Sequence, residues 1–267
     1  MNNNLAIIIP VHVFNDTTKE HMDILIKSIK EQRNNEQKPI VLIVYHKSID
    51  KGGVDELIKY VDEEYKISVM ENDGNIDYQS QVMRGVNAID CDFFTVAEFD
   101  DELSVSFTHQ MERHTKHYQD VDIFLSTMLE VDIEDKPVKI TNETVWSQQF
   151  VGENGSMGYL NENLLKEYSD FKLSGAIIKK DSFLEIGGYK SNIKLSFMYE
   201  FLLRALNNGL TIYSIPKLMY KHIVGREGSL FDDYQKNMSQ GERKFWFETA
   251  MKEYVFNKDR EVSYIEK

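Results

Sequence analysis

Three carboxylates follow a short apolar run near the middle of the chain. In the segment DFFTVAEFDDEL, Glu98, Asp100 and Asp101 come directly after residues that are typical of a buried strand. Carboxylates this close together repel one another, and a shared cation or proton relieves that repulsion. The segment therefore indicates a site for a cation or a proton, with an acidic turn in an acidic protein as the simpler alternative.

Alternating strand and helix patterns lead up to this segment. The apolar runs LAIIIPV, PIVLIVYH and KISVMEN predict buried strands, and HMDILIKSIKEQ, VDELIKYVDEEY and residues 78–89 predict helices between them. With DFFTVAEF as a fourth strand, this order predicts a doubly wound parallel sheet. Sites in such sheets lie beyond the carboxyl ends of the strands, where His12, Tyr45, His46 and the carboxylates fall.

The second half of the chain has its own strand and helix signals. VDIFLSTMLEVDI predicts one long strand or two, SGAIIKK another, and DSFLEI a short helix that Gly187 and Gly188 end. FMYEFLLRALNNG predicts a longer helix, in which Glu200 and Arg204 are spaced for an intrahelical ion pair. TIYSIP predicts the strand that leads to His222, and residues 134–169 predict a loop or hairpin over the site.

Composition narrows the class of protein. The 267 residues, 42% of them hydrophobic, are sufficient for one large α/β domain or a core domain with a small appendage. A net charge of -13 disfavours binding to duplex DNA. The single cysteine, Cys91, excludes an intramolecular disulfide and a cysteine-built metal site. With no signal-like or membrane-spanning segment in view, we expect a cytoplasmic protein without a membrane partner.

Three further features do not predict chemistry. His109, His114 and His117 do not share one helical face, so a solvated helix is favoured over a metal site. VGENGSMG lacks the strand and helix that flank a phosphate-binding loop, and is interpreted as a flexible loop. In the tail, residues 239–256 predict an amphipathic helix that docks on the core or forms a dimer contact.

Five segments occur in an order that characterises one enzyme family. They are AIIIPVH, NDGNIDYQSQVMRGVNAI, EFDDEL, SGAIIKKDSFLEIGGY and YEFLLRALNNGLTIYSIPKLMYKH. Together they resemble a nucleotide-sugar glycosyltransferase of the GT-A fold, family 2 in type, over roughly residues 5–230. The run from YEFLLRA through KHIVGREGSLF is similar to glycosyltransferase-like proteins of tailed bacteriophages, which would place the chain in the cytoplasm of a host.

The resemblance implies a fold and a division of the chain. The expected fold is an α/β, GT-A-type (Rossmann-like) structure with a mostly parallel central sheet, flanking helices and a C-terminal helical tail. The expected GT-A-like domain covers residues 1–230, with a nucleotide-binding half at 1–103 and an acceptor half at 104–230. Residues 231–267 form the expected helical tail.

The resemblance also implies a metal site. In this family a divalent cation, Mn²⁺ or Mg²⁺, bridges the acidic motif and the diphosphate of the donor. Asp100 or Asp101 would bind the cation, and the motif aligns either way. His222 matches a position that supplies a third metal ligand in some members, although a hydrogen-bonded histidine at a strand end is an equal alternative. Glu98 would lie near the donor ribose, and Arg226 would meet the pyrophosphate or pair with Glu227 or another surface carboxylate.

Contacts to the donor are implied at the ends of several strands. The residues concerned are Pro10, His12, Tyr45, His46, Gly74, Glu98 and Arg226. The family's Asp-Asp-Gly-Ser stretch is here Tyr-His-Lys-Ser, residues 45–48, so the identity of the nucleotide base stays open. Met198 occupies the place of the family's catalytic aspartate. Glu200 is the nearest carboxylate and the candidate for a catalytic base or acceptor contact, with a retaining mechanism or a loss of activity as alternatives.

Three functions are compatible with these observations. The first is a metal-dependent glycosyltransferase that moves a sugar from a nucleotide-sugar donor to an unidentified acceptor, which would be a protein, a glycan or a modified base. The second is a non-catalytic module that binds a nucleotide sugar on a GT-A scaffold. The third, a nucleotidyltransferase, is disfavoured because VHVFNDTTKE lacks the glycine-rich basic loop of such enzymes. The oligomeric state stays open.

Overall fold

The computed structural model describes residues 4–34, 36–144, 157–226 and 236–253. Its strands are β1 (Leu5–Val11), β2 (Ile40–His46), β3 (Ile67–Asn72), β4 (Phe93–Val96), β5 (Glu102–Leu103), β6 (Ile123–Val131), β7 (Pro137–Thr141), β8 (Ile177–Lys179) and β9 (Ile212–Ile223). Its helices are α1 (Asp16–Lys30), α2 (Lys51–Ile58), α3 (Tyr78–Ala88), α4 (Phe107–His117), α5 (Glu162–Glu167), α6 (Lys180–Glu185), α7 (Phe197–Asn207) and α8 (Gln240–Glu253).

The strands form one mixed sheet with the order β3-β2-β1-β4-β8-β6-β9-β5, and β7 pairs with β6 beside this path. The neighbours from β3 to β4 are parallel, and so are β6 and β9. β8 is antiparallel to both β4 and β6. The expected α/β sheet with flanking helices is confirmed, but the sheet is not wholly parallel, because β5, β7 and β8 all run antiparallel to the strands they pair with.

Apolar side chains cover both faces of the sheet. Along β1, Ala6 and Ile8 belong to a core cluster shared with α3 and α7, whereas Ile7 and Ile9 belong to a cluster shared with α1. A strand that is buried on both faces needs apolar residues at every position. This explains the continuous apolar run in the sequence, where a half-exposed strand would show alternation.

β9 is longer than the predicted strand TIYSIP. It continues to Ile223 beside β6, and the pairing shifts register between Ser126 and Met128 as β9 passes Pro216. Proline cannot donate to the ladder, so it is accommodated where the pairing is irregular. The extended strand carries Tyr220 and His222 to the end of the sheet at which the acidic segment lies.

α8 covers the middle of the predicted tail helix. Trp246 and Ala250 pack against the core cluster that includes α7, whereas Phe245 is 59% exposed. Docking on the core, one of the two predicted outcomes for this helix, is thus observed, and residues 254–256 lie outside the described part. None of the helices in the described ranges has the length and apolarity needed to cross a membrane.

Candidate active site

A cavity of about 380 Å³ opens where the parallel strands end. Its wall is formed by the end of β1, the start of α3, the segment after β4, and parts of β6, α7 and β9. Among the residues predicted from the sequence, the wall contains Pro10, His12, Glu98, Asp100, His222 and Arg226. The cavity therefore lies where sites in open α/β sheets are expected.

Glu98, Asp101 and His222 form a compact cluster beside this cavity. One potential ligand atom from each residue lies within 4.8 Å of those of the other two. His222 Nδ1 is 2.8 Å and 3.0 Å from the two carboxylate oxygens of Asp101, and the backbone N–H of Ile223 donates to Asp101 Oδ1 at 3.3 Å. The Asp101 side chain is fully buried behind His222, which itself lines the cavity.

Burial and charge act together on this cluster. Burial raises the pKa of Asp101 to about 7, although the neighbouring His222 acts in the opposite direction. Burial alone would lower the pKa of His222, but the charge of Asp101 and its hydrogen bond, with Glu98 and Asp100 adding to them, raise that pKa to about 10. Both pKa values are raised, which means that the pair of Asp101 and His222 retains a proton more readily than the free side chains do. A cation bound at the same place would supply the positive charge instead.

The donor set of the cluster fits a divalent cation. Two carboxylates and an imidazole supply hard oxygen and borderline nitrogen ligands, a combination suited to Mn²⁺, whereas Mg²⁺ prefers oxygen ligands alone. Among the described residues, Glu98, Asp101 and His222 are the His, Cys, Asp or Glu side chains whose ligand atoms lie close enough together to hold a metal ion. On α4, His109 and His114 instead bond to backbone carbonyls, of Asn34 and Gln110.

Asp100 faces the cavity and has a different partner from Asp101. Arg226 Nε donates to Asp100 Oδ2, and only 5% of the Asp100 side chain and 12% of the Arg226 side chain are exposed. The Arg226 guanidinium carbon also lies 4.7 Å from the centroid of the Phe99 ring. Arg226 is thus paired with a buried carboxylate that was itself a candidate metal ligand, where a surface carboxylate was the expected partner. A contact of Arg226 with pyrophosphate stays a prediction.

Two residues that were not predicted as site residues hold Glu98 in place. Ser174 Oγ donates to Glu98 Oε1 at 2.5 Å, and the backbone N–H of Glu98 donates to the hydroxyl of Tyr220 at 3.0 Å. Ser174 reaches the site because β8 runs antiparallel and begins at this edge. In the sequence, the glycine that follows Ser174 was the available signal for a turn at this place. The structure agrees, since Gly175 has φ +69°, a conformation that favours glycine.

We predict that Gly175→Ala destabilises the fold by about 2 kcal/mol or more, because strain adds to a clash. A Cβ at this position would lie 2.2 Å from Cδ2 of Tyr220, the residue that supports Glu98. Gly187→Ala is the matched control, since Gly187 has φ +88° but no atom within 4 Å of the added Cβ. Urea unfolding measures the free energy of unfolding of both variants. An equal decrease in the two variants would show that the clash with Tyr220 contributes nothing.

Tyr45, His46 and Gly74 lie at the ends of β2 and β3, outside the cavity wall. His46 Nδ1 is 2.7 Å from Ser48 Oγ, and His46 Nε2 is 3.2 Å from the carbonyl oxygen of Gly74. The Tyr45 hydroxyl donates to Glu71 at 3.3 Å. The structure thus brings His46 and Gly74 together but not into the wall, and their contact with a donor stays a prediction.

The structure does not bring Glu200 to the cavity. Its side chain is fully buried, and Arg204 donates to it from Nε at 2.6 Å and from a terminal nitrogen at 3.0 Å. The predicted intrahelical ion pair is confirmed. Met198, by contrast, does line the cavity. A carboxylate enclosed in this way has no path to an acceptor hydroxyl, so the placement does not support a role for Glu200 as base.

A second charged group in the wall was missed by sequence reasoning. Lys139 Nζ lies 2.5 Å from Asp170 Oδ2, and Lys172 Nζ lies 3.1 Å from Asp170 Oδ1. Glu130, which is buried, lies 3.6 Å from Lys139 and is paired in register with His222. β7 lies in the segment 134–169, for which a loop or hairpin was predicted, and its pairing with β6 carries Lys139 into the wall. The same segment also contains the helix α5, which was not predicted. Residues 151–156 of VGENGSMG lie outside the described part.

The comparisons with known proteins show the fold. No protein-family model and no curated protein matches the sequence. Solved structures do match: S. aureus TarS 1–349 in complex with UDP-GlcNAc has a TM-score of 0.70 at 15% identity, over 97% of this chain and 68% of that one. The same segment in complex with UDP has a TM-score of 0.61 at 12% identity, over 94% and 80%.

A longer TarS structure matches 94% of this chain but only 43% of its own length, with a TM-score of 0.61 at 13% identity. At these identities the likeness concerns the fold alone. This chain therefore has the GT-A-like α/β fold found in glycosyltransferases.

Proposed function

We propose that this chain is a metal-dependent glycosyltransferase that binds a nucleotide sugar in the cavity and transfers the sugar to an acceptor. One observation carries the proposal: Glu98, Asp101 and His222 lie together beside a cavity at the carboxyl ends of the strands of a GT-A-like sheet. A structural neighbour, S. aureus TarS, was crystallised with UDP-GlcNAc, which supports a nucleotide sugar as the ligand. In this proposal residues 1–103 form the nucleotide-binding half and residues 104–230 the acceptor half, with His222 and Arg226 of the second half reaching the donor diphosphate.

The residues of the cavity have distinct roles in this proposal. Glu98, Asp101 and His222 would hold Mn²⁺ or Mg²⁺, which when bound neutralises the charge of the departing diphosphate. Arg226 lies in the same wall and can donate to a phosphate oxygen in exchange for Asp100. Because the side chains of Asp100 and Arg226 are largely buried, their charged contact is stronger than it would be in water.

A specific observation favours a second function, a binding module without turnover. Met198 lines the cavity where the resembled family has its catalytic aspartate, and the nearby carboxylate of Glu200 is enclosed by Arg204. An inverting transferase needs a base close to the acceptor hydroxyl. Such a module would bind the same donor and the same cation and would release neither sugar nor nucleotide.

Titration with UDP-, GDP- and CDP-sugars, each with and without Mn²⁺, tests both functions. A ligand at a hundred times its Kd stabilises the protein by about 2.7 kcal/mol, which a thermal-shift measurement detects. We expect one base to be selected and the shift to depend on Mn²⁺. Donor hydrolysis or transfer supports the enzyme, metal-dependent binding without turnover supports the module, and no shift with any of the sugars contradicts both.

Several narrower features belong to the same proposal. A relation to glycosyltransferase-like proteins of tailed bacteriophages rests on the run from YEFLLRA to KHIVGREGSLF, of which residues 227–231 lie outside the described part. A location in the cytoplasm, of a host if the protein is phage-encoded, is proposed from the sequence alone. The acceptor is proposed to be a protein, a glycan or a modified base, with duplex DNA disfavoured by the net charge of -13.

A further inference from the structure

A buried glutamine in the cavity wall has an acceptor atom that the described residues do not satisfy. Gln81 lies on α3 and is 1% exposed. Its amide nitrogen donates to the carbonyl oxygen of Ile76 at 2.8 Å. Its amide oxygen, Oε1, has no hydrogen-bond partner among the described residues. Buried polar side chains are nearly always bonded, so an exception inside a cavity points to a ligand.

The surroundings of Gln81 are shared with the acidic segment. Val82, the next residue on α3, belongs to the same core cluster as Ile8 of β1 and Val96 of β4. Pro10 comes two residues after Ile8, and Glu98 comes two residues after Val96. Both line the cavity together with Gln81. Because alternate residues of a strand share a face, Pro10 is expected on the α3 side of the sheet. Gln81 and Glu98 therefore bound the same cavity.

The chemistry of the Gln81 oxygen selects the kind of group that binds it. An amide oxygen only accepts hydrogen bonds. A phosphate oxygen, which is also an acceptor, cannot satisfy it. A hydroxyl group donates, and a nucleotide sugar carries hydroxyls on its ribose and on the sugar to be transferred.

We infer that Gln81 Oε1 accepts a hydrogen bond from a hydroxyl group of the bound nucleotide sugar and so selects for that hydroxyl. This inference rests on the proposed function and adds a specificity-determining residue to it. A site that is built to bond a hydroxyl discriminates against a ligand without one, because the buried acceptor is then left unpaired. The bond of the amide nitrogen to Ile76 orients the oxygen for this purpose.

Two substitutions separate this role from a structural one. Gln81→Met removes both the acceptor and the amide nitrogen, whereas Gln81→Glu keeps an acceptor oxygen, loses the bond to Ile76 and adds an ionisable carboxyl group. We expect Gln81→Met to weaken binding of the hydroxyl-bearing ligand about tenfold and Gln81→Glu to retain it. Calorimetric titration with Mn²⁺ present, using UDP, 2′-deoxy-UDP, 3′-deoxy-UDP and UDP-GlcNAc, provides the measurement.

The four probes identify the hydroxyl. If Gln81→Met weakens the binding of UDP but not that of one of the deoxy forms, Gln81 bonds the ribose hydroxyl that this form lacks. If Gln81→Met weakens only the binding of UDP-GlcNAc, Gln81 bonds the sugar. Gln110→Met on α4 is the matched control, since Gln110 also has an unpartnered amide oxygen but lies outside the cavity wall. We expect this variant to bind all probes as the unmodified chain does.

Two results would overturn the inference. Unchanged affinities in Gln81→Met would mean that water alone satisfies the oxygen. Equal losses in Gln81→Met and Gln81→Glu would mean that the bond to Ile76, and not a ligand contact, matters. Failure of the unmodified chain to bind any nucleotide sugar is a different result, because it removes the proposed function as well.

Discussion

Asp101→Asn is expected to remove the manganese-dependent part of donor binding and to lower any turnover roughly 100-fold or more. Asparagine has the same shape as aspartate, but it offers no negative charge to a cation. The carboxylate of Asp101 is fully buried against His222, and one of its oxygens lies within 4.8 Å of a carboxylate oxygen of Glu98. Thermal-shift titration of the selected nucleotide sugar, with and without Mn²⁺, measures the difference between the variant and the unmodified chain.

The design of this experiment separates metal binding from folding. The melting temperature without ligand reports any structural loss, since asparagine at position 101 can still accept the bond from the backbone N–H of Ile223 but lacks the charge that raises the pKa of His222. Asp55→Asn makes the same change at an exposed position of α2. If Asp100→Asn, and not Asp101→Asn, abolishes the manganese effect, the metal ligand is Asp100 and the cluster described above is only a hydrogen-bonded pair.

The first half of the fold was predictable because local chemistry determines it. Runs of β-branched residues that are buried on both faces mark β1 and β2, and amphipathic spacing marks α1. Parallel strands that alternate with helices end at one edge of the sheet, so the positions of Glu98 and Asp100 near the cavity followed from strand order. The same reasoning placed His12 there.

The second half depended on long-range packing that a sequence pattern does not encode. β8 has three residues, too few to indicate its antiparallel insertion between β4 and β6, yet that insertion brings Ser174 to Glu98. The chain of β9 passes Pro216, which in a sequence signals the end of a strand. Gln81 carried no signal at all, because a glutamine in a helix is ordinarily exposed.

The spacing of Glu200 and Arg204 shows where sequence reasoning had to stop. Residues four apart on a helix are neighbours, and this predicts the ion pair. Whether the pair faces solvent, the cavity or the core depends on how α7 packs, and in this structure it faces the core. Burial turns a contact worth a few tenths of a kcal/mol at the surface into one whose disruption is costly.

Glu200→Gln is accordingly expected to destabilise the fold by about 3–5 kcal/mol, because it leaves the Arg204 guanidinium buried without a counter-charge. Arg204 also donates to the carbonyl oxygen of Gly188 at 2.6 Å and to that of Ile186, so the pair secures the turn after α6. For a chain of this size the expected fall in melting temperature is on the order of 6–20 °C. Thermal unfolding monitored by circular dichroism measures it.

Glu248→Gln provides the control, since Glu248 pairs with Lys244 at the same spacing on α8 but both side chains are more than half exposed. Its expected cost is at most about 0.5 kcal/mol. The experiment also decides between the two roles considered for Glu200. A Glu200→Gln variant that melts like the unmodified chain but has lost transfer activity would identify Glu200 as the catalytic base, against the placement seen here. A variant that is unstable, yet still binds the donor below its melting temperature, supports Glu200 as the partner that holds α7 against the turn after α6.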